Sequence, residues 1–503
     1  MPRIIDRRLI VGMEVHVELA TRAKMFTPAA NVAHPSNFNA EPNTLCDPVS
    51  IALPGALPTM NREALGMAML VGMAINCDIA DRCQWDRKNY FYPDLPKGYQ
   101  ISQYEHPICG AGHMTIQGSD GPVTVRITRA HLEEDTGKSG HELPGGRAID
   151  GSIVDYNRAG TPLLEIVTEP DIASAADAVT FGRELRAICR ALGVTEGIMQ
   201  KGHMRFEPNI NLALTLDDGS EIRTPIAEIK NLNSFRAVEQ SIEYEMKRQE
   251  TQWLEDGVVM GPGVKSTRGW DERKGQTILQ RSKEDAHDYR YFPEPDLVPL
   301  EIDEAWTREI RSRLPELPMV RRSRWMDTLG LVAKDAAALA EDPPIADFFE
   351  ACAAAMVSGG MADAEAAQAA AKLLLNAGAR EANERGCPIE SLGIDPPQVA
   401  ELALMRHAGD LGSTAVDELF VVLCDADESA REAADRLGLV QVSDAGSLDA
   451  WIDEAVEAHP QAAEDFAAGK DAAMGRIMGH VMKASGGSAD AGKVRGRLIE
   501  RLR

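Results

Sequence analysis

Residues 12–19 read Gly-Met-Glu-Val-His-Val-Glu-Leu, an alternation that sets Glu14, His16 and Glu18 on one side of a strand and Met13, Val15 and Val17 on the other. Two carboxylates around an imidazole can bind a cation. More acidic groups follow in His131-Leu132-Glu133-Glu134-Asp135, in the apolar run around Glu165, in Arg205-Phe206-Glu207-Pro208-Asn209, and at Glu228 ahead of Lys230-Asn231-Leu232-Asn233. Carboxylates drawn from several strands suit Mg²⁺, which prefers octahedral oxygen ligands and keeps several waters, better than zinc, which favours Cys and His. A histidine among them can act as a ligand or orient bound water or phosphate. One Glu-x-His alone is the ordinary pattern of a half-buried strand; the recurrence near further strands is what points to a site.

Around Arg205, Glu207, Asn209 and Asn211 polar residues alternate with Phe206, Ile210 and Leu212, so this strand also has a polar face that could meet that of the first. Pro208 favours an edge position, because proline avoids central strands. Six of the eight tyrosines fall in two segments, Tyr90, Tyr92, Tyr99 and Tyr104 in one and Tyr289 and Tyr291 in the other. Rigid rings with a polar tip suit either a wet substrate cavity or a packed seam. Gly137-Lys138-Ser139 resembles the end of a phosphate loop, but Leu132 occupies the place of the motif's first glycine. Any nucleotide phosphates must therefore be held by metal and basic side chains, with Lys88, Lys97, Lys138, Arg158 and Arg205, beside the rings of Tyr90 and Tyr92, as candidates. Zinc-protease and serine-hydrolase motifs are absent from the sequence.

At 503 residues the chain exceeds one ordinary core, and its 44% hydrophobic residues can fill several. Its apolar stretches fall short of the ~20 residues a membrane span needs, and the basic first residues lead straight into a strand without a signal-peptide pattern, so a cytoplasmic location is expected. Eight cysteines include no Cys-x-x-Cys pair, which argues against a disulfide framework or a zinc ribbon. A formal charge of -25 excludes nonspecific nucleic-acid binding over the whole surface. The end of the chain differs: from Lys470 onward eight basic residues stand against three acidic ones.

Up to about Leu300 short alternating segments such as Val123–Ile127 and Met204–Leu214 enclose helical stretches such as Ala175–Leu192. The expected fold class is α+β: a domain over residues 1–302 with a mixed or antiparallel sheet, an all-α domain over 303–424 with Ala-rich helices such as Ala362–Ala377, and a small helical tail over 425–503. Ser443-Asp444 reads as an N-cap in the tail, and Gly486-Gly487-Ser488 as a break before the last helix.

Together these segments resemble the B subunit of the tRNA-dependent aspartyl/glutamyl amidotransferase, the GatB family. The likeness rests on 12–19, Leu53-Pro54-Gly55-Ala56-Leu57-Pro58, 87–103, 131–139, 157–167, Lys230-Asn231-Leu232-Asn233-Ser234-Phe235, 288–300, 438–444, Gly469-Lys470 and 481–485, nearly the whole chain. The resemblance implies a glutamine-synthetase-like cradle domain, a helical domain and a tail that helps hold tRNA. It also implies use of ATP and Mg²⁺ to phosphorylate the side-chain carboxylate of Glu on glutamine tRNA or Asp on asparagine tRNA. An amidase A subunit would deliver the ammonia, and a small C subunit would complete a heterotrimer. Carried over by position, Glu14, His16, Glu133, Glu134 and Glu228 match the family's metal and phosphoryl-transfer site, with Glu165 close to them. Glu207 stands where the family commonly has Asp; the added methylene moves the carboxylate by about one bond length, and Mg²⁺ tolerates little geometric error. Of the cysteines that bind zinc in some members only Cys46 remains, with Thr27 and Ser50 at matching positions, so no zinc is expected. Lys470, Arg476 and Lys483 are the candidate tRNA contacts. Two other readings stay open: a stand-alone glutamine-synthetase-like ligase, and a noncatalytic tRNA-binding scaffold.

Overall fold

The alternation around His16 belongs to a long strand, β1 (Ile4–Glu18), in a nine-stranded sheet. The computed structural model describes residues 3–143, 146–282, 289–441, 445–485 and 489–502. Ser443-Asp444, Gly486-Gly487-Ser488 and Asp288, named above, lie outside the described residues. The chain forms two compact units, residues 1–318 and 319–503.

In the first unit the other strands of the large sheet are β2 (Gly112–Gly118), β3 (Gly121–Glu134), β4 (Pro162–Thr168), β5 (Met204–Leu216), β6 (Glu221–Arg223), β7 (Ala227–Lys230), β8 (Ser266–Asp271) and β9 (Gln276–Ser282). Their order is β9-β8-β7-β5-β1-β4-β3-β2, with β6 also against β5. Only β7 and β8 run parallel, so the sheet is mixed and mostly antiparallel, as the alternating segments predict.

One face of the sheet is apolar. Val15, Val17, Phe206, Ile210, Leu132 and Ile166 are buried there, against the helices α2 (Ala175–Ala191) and α3 (Phe235–Asp256); a third helix of the unit, α1 (Arg62–Ala74), lies against β3. Ser174 and Ser234 cap α2 and α3 by accepting from the amides of Asp177 and Ala237. Phe206 meets Phe235 with ring centroids 5.2 Å apart. A Cβ on Gly182 of α2 would come within 2.8 Å of Phe235, so the close helix–sheet approach needs glycine at that position.

Strand β5 is not at the edge that Pro208 suggests; it lies between β1 and β7. Proline is tolerated because pairing of β5 with β7 registers only at Asn209 and Ile210, so Pro208 lies where that ladder ends. The tyrosines sit on and around a small sheet formed by Asp86–Asn89, Tyr99–Ser102 and Phe292–Pro293. Tyr90 meets Tyr289, Tyr289 meets Tyr291, and Tyr291 stacks on Tyr104 with centroids 4.2 Å apart, so the two segments form a packed aromatic seam.

The described part of the second unit is helical and carries two separate apolar clusters. One includes Trp325, Phe349, Leu402 and Phe420; the other joins Leu448, Ile452, Ile477, Val481 and Leu498. The helix expected over Ala362–Ala377 runs as Asp363–Leu373 and continues as a wider π turn over Leu374–Gly378. Among the described residues no helix is long and apolar enough to cross a membrane.

Candidate active site

Directly opposed residues of neighbouring strands share a sheet face, so the register fixes which side chains meet. His16 on β1 pairs with Arg205 on β5 and with Glu165 on β4, and Glu165 pairs in turn with His131 on β3. The result is one row across four strands: Arg205, His16, Glu165, His131. Glu14 opposes Glu207 in the adjoining row, and Asn209 opposes Glu228 beyond it. Every one of these residues lies on the face opposite Val15 and Phe206.

Glu165 is the hub. Its Oε2 lies 3.5 Å from His16 Nε2 and 3.6 Å from His131 Nε2. Two sets of potential ligand atoms converge on it, Glu14–His16–Glu165 and His131–Glu133–Glu165, each within 4.8 Å. Glu133 accepts from the Ser102 hydroxyl at 3.3 Å and faces Lys88 Nζ at 3.9 Å. Beside this group, Lys230 bridges Glu207 at 2.5 Å and Glu228 at 3.0 Å, and Lys265 approaches Glu228 at 3.4 Å.

Burial competes with the neighbouring charges and hydrogen bonds in setting the charge states. It is the largest influence on Glu14, and with the Glu165 carboxylate it lifts that group to about 7. Burial opposes the imidazolium of His16, yet the hydrogen bond to Glu165 and the surrounding carboxylates outweigh it and raise His16 to about 9. His131 goes the other way, lowered to about 4 mainly by burial. Burial would raise Glu165, but the two histidines hold it well below the usual carboxylate range.

Carboxylates and imidazoles at this spacing fit a hard divalent cation. Nδ1 of both His16 and His131 is buried without a hydrogen-bond partner, and Glu14 and Glu133 border the hub from either side. Because His16 holds a proton that a cation must displace, affinity for Mn²⁺, used as a probe, is expected to rise between pH 7 and 9, by about tenfold per unit for one released proton. Electron paramagnetic resonance titration of free Mn²⁺ at pH 7 and pH 8.5 checks this; equal affinity would contradict it.

Not every candidate from the sequence joins the hub. Glu134 is next to Glu133, and strand alternation turns it to the other side, where Lys97 pairs with its carboxylate and the Ile101 amide donates to it at 2.9 Å. Glu134 thus stands apart from the two converging sets of ligand atoms, and Lys97 is occupied by it. Tyr92 is 63% exposed and takes no part, whereas Tyr90 packs on Tyr289 near Lys88. Arg158 donates to the carbonyls of Thr136 and Gly137 and lies 3.7 Å from Asp135; Arg205 pairs with Asp135. With Lys138 these two arginines line a cavity of about 580 Å³ at the Glu18 end of β1. His131 is the functional candidate that the sequence pattern left unassigned. The signal was its parity with Glu133, two residues on.

In the second unit, Arg476 and Lys483 lie on the helix Met474–Ala484. Lys470 pairs with Asp465, and Arg497 and Arg501 pair with Asp449 and with Asp449 and Asp453. The positive surplus counted from Lys470 onward is therefore partly neutralised by carboxylates that precede it.

Residues 9–308 match the family model described as the GatB/GatE catalytic domain, and residues 347–502 the one described as the GatB domain. The chain is 43% identical over 494 residues to the B subunit of the aspartyl/glutamyl-tRNA(Asn/Gln) amidotransferase of Halorhodospira halophila, covering 98% of each chain. It is 40% identical over 499 residues to the protein of the same name from Moorella thermoacetica, covering 99% of this chain and all of that one. With that of Burkholderia vietnamiensis it shares 43% over 507 residues, 98% and 99% of the two chains.

Proposed function

Because the chain belongs to the GatB family of amidotransferase B subunits, we propose that it activates the side-chain carboxylate of Glu on glutamine tRNA, or of Asp on asparagine tRNA, with ATP and Mg²⁺, and then amidates it. Ammonia would come from an amidase A subunit in a heterotrimer that also holds a small C subunit, in the cytoplasm. The division into a cradle over 1–302, a helical domain over 303–424 and a tRNA-holding tail over 425–503 is part of the same proposal, with Lys470, Arg476 and Lys483 as tRNA contacts.

The strongest support is the row His16–Glu165–His131 bordered by Glu14 and Glu133, beside a cavity with cationic walls. A carboxylate resists ammonia because its oxygen is a poor leaving group. Attack of that oxygen on the γ-phosphorus of ATP releases ADP and leaves an acyl phosphate; ammonia then attacks the carbonyl carbon, phosphate leaves, and a proton is lost as the amide forms. Glu14, His16 and Glu165, or His131, Glu133 and Glu165, would hold Mg²⁺, which would supply charge neutralisation during phosphoryl transfer. Glu207 and Glu228, held by Lys230, border the site and tune its charge. Lys88, Arg158 and Arg205 offset the anionic substrates, and the apolar face of the sheet keeps the strands in register.

The test supplies the purified heterotrimer with ATP, Mg²⁺ and Glu-tRNA(Gln). ADP release that requires the aminoacyl-tRNA, with Gln-tRNA formed when ammonia is added, is expected. Turnover on free glutamate would favour a stand-alone ligase, and tRNA binding without ADP release a scaffold.

A further inference from the structure

Asp135 follows the last residue of β3 and continues the alternation of His131 and Glu133. Its backbone is fixed on both sides: the amide donates to the Thr161 carbonyl at 2.8 Å, and the carbonyl accepts from the Gly160 amide at 2.9 Å. Those bonds pin the loop that carries Arg158, which the Thr161 amide closes by donating to the Arg158 carbonyl at 2.9 Å. The carboxylate then faces guanidiniums from two different elements. Its Oδ2 pairs with Arg205 of β5 and lies 3.7 Å from Nε of Arg158, while Oδ1 accepts from the Thr136 amide at 2.8 Å. Because a single oxygen contacts both, the two guanidiniums stand side by side. Glu18 also hydrogen-bonds to Asp135. A hydrogen bond between two carboxyl groups needs a proton, so that pair carries one negative charge against two positive ones.

The positive surplus faces the cavity. Arg158, Arg205 and Lys138 line it, whereas Asp135, 4% exposed, lies behind them rather than on the wall. Arg158 spends Nε and one Nη on the carbonyls of Thr136 and Gly137, and Arg205 spends one Nη on Asp135. Each guanidinium carries five N–H bonds, so both have donors left for a ligand. Arg205 also opposes His16 across the strands, which puts this pair at the end of the carboxylate row. Resting on the function proposed above, we infer that Asp135 is a positioning residue: it holds Arg158 and Arg205 together as one seat for the phosphoryl group on its way from ATP to the carboxylate. Two adjacent forks match the oxygens of a phosphate and place positive charge where negative charge develops during transfer. Without Asp135 the two like charges repel each other and the seat opens.

The probe is inorganic phosphate, added with Mg²⁺ to the heterotrimer and followed by equilibrium dialysis. Asp135→Asn should weaken phosphate binding at least about fivefold, and so should Arg158→Lys and Arg205→Lys, which keep the charge but lose the guanidinium fork. Combining Asp135→Asn with Arg205→Lys should weaken it by no more than about twofold beyond Arg205→Lys alone, because residues that act as a unit are not additive. In tRNA-dependent ADP release Asp135→Asn should lower kcat by about tenfold or more, with KM for Glu-tRNA within about twofold. The inference is overturned if the unaltered heterotrimer binds no phosphate, if Asp135→Asn leaves phosphate affinity or kcat unchanged, or if the two substitutions multiply in full. Should Asp135→Asn fail to fold, the two lysine variants decide, and unchanged phosphate affinity in both overturns the seat. Phosphate binding that follows this pattern without any ADP release on Glu-tRNA would sink the proposed function and leave the seat standing; ADP release with phosphate affinity indifferent to all three substitutions would do the reverse.

Discussion

Glu165→Gln is expected to slow ATP-dependent formation of amidated tRNA by roughly a hundred- to a thousandfold, the scale of removing one preorganised electrostatic partner from a site, while tRNA affinity stays within about twofold because phosphate contacts dominate it. Glu165 is common to both sets of converging ligand atoms, and it alone lies between the two histidines. An amide fills the same volume but removes the charge that holds His16 protonated and balances a bound cation. The fold should survive the change, because the neighbours on the apolar face, Leu164 and Ile166, are untouched. Single-turnover amidation and a filter-binding isotherm measured on the same preparation separate the two effects. Unchanged turnover would remove Glu165 from the centre of the site.

Phe206→Ala should be the most destabilising single truncation next to the site, costing about 3–5 kcal/mol and lowering the melting temperature of the first unit by roughly 4–8 °C. The ring is 1% exposed, contacts Phe235, and lies over the glycine that lets α2 approach. It also sits between Arg205 and Glu207 in sequence, so strand alternation makes it the anchor that presents those two to the opposite face. Calorimetry of the purified chain measures the shift. A change below about 1 kcal/mol would mean that the helix–sheet core does not hold the polar face in place.

Much of this arrangement was legible in the residue pattern, and its gaps have physical reasons. Alternation alone places Glu14, His16 and Glu18 on one face, since side chains of a strand alternate whatever the fold. The same rule forbids Glu133 and Glu134 from sharing a face, and applying it would have kept His131 with Glu133 and set Glu134 aside. Register is another matter. Whether His16 meets Glu165 or its neighbour depends on pairing across more than a hundred positions of chain, and a shift of one residue would turn every side chain to the other face. Pro208 shows the limit of a local rule: the proline does avoid a full double ladder, but it does so where one ladder stops within a central strand. The partners of the basic run are likewise not legible locally, because Asp449 and Asp453 precede it in the chain yet pair with Arg497 and Arg501.

The most direct measurement follows one oxygen atom. Glu-tRNA(Gln) carrying ¹⁸O in its side-chain carboxylate is turned over by the heterotrimer with ATP, Mg²⁺ and ammonia, and the phosphate released is analysed by mass spectrometry. Transfer of a single ¹⁸O into inorganic phosphate, matched one for one with amide formed, is the expected result, since the carboxylate oxygen becomes the bridge to phosphorus and leaves with it. Phosphate free of the label, or label recovered in AMP, would contradict activation by phosphorylation at the Glu165 row.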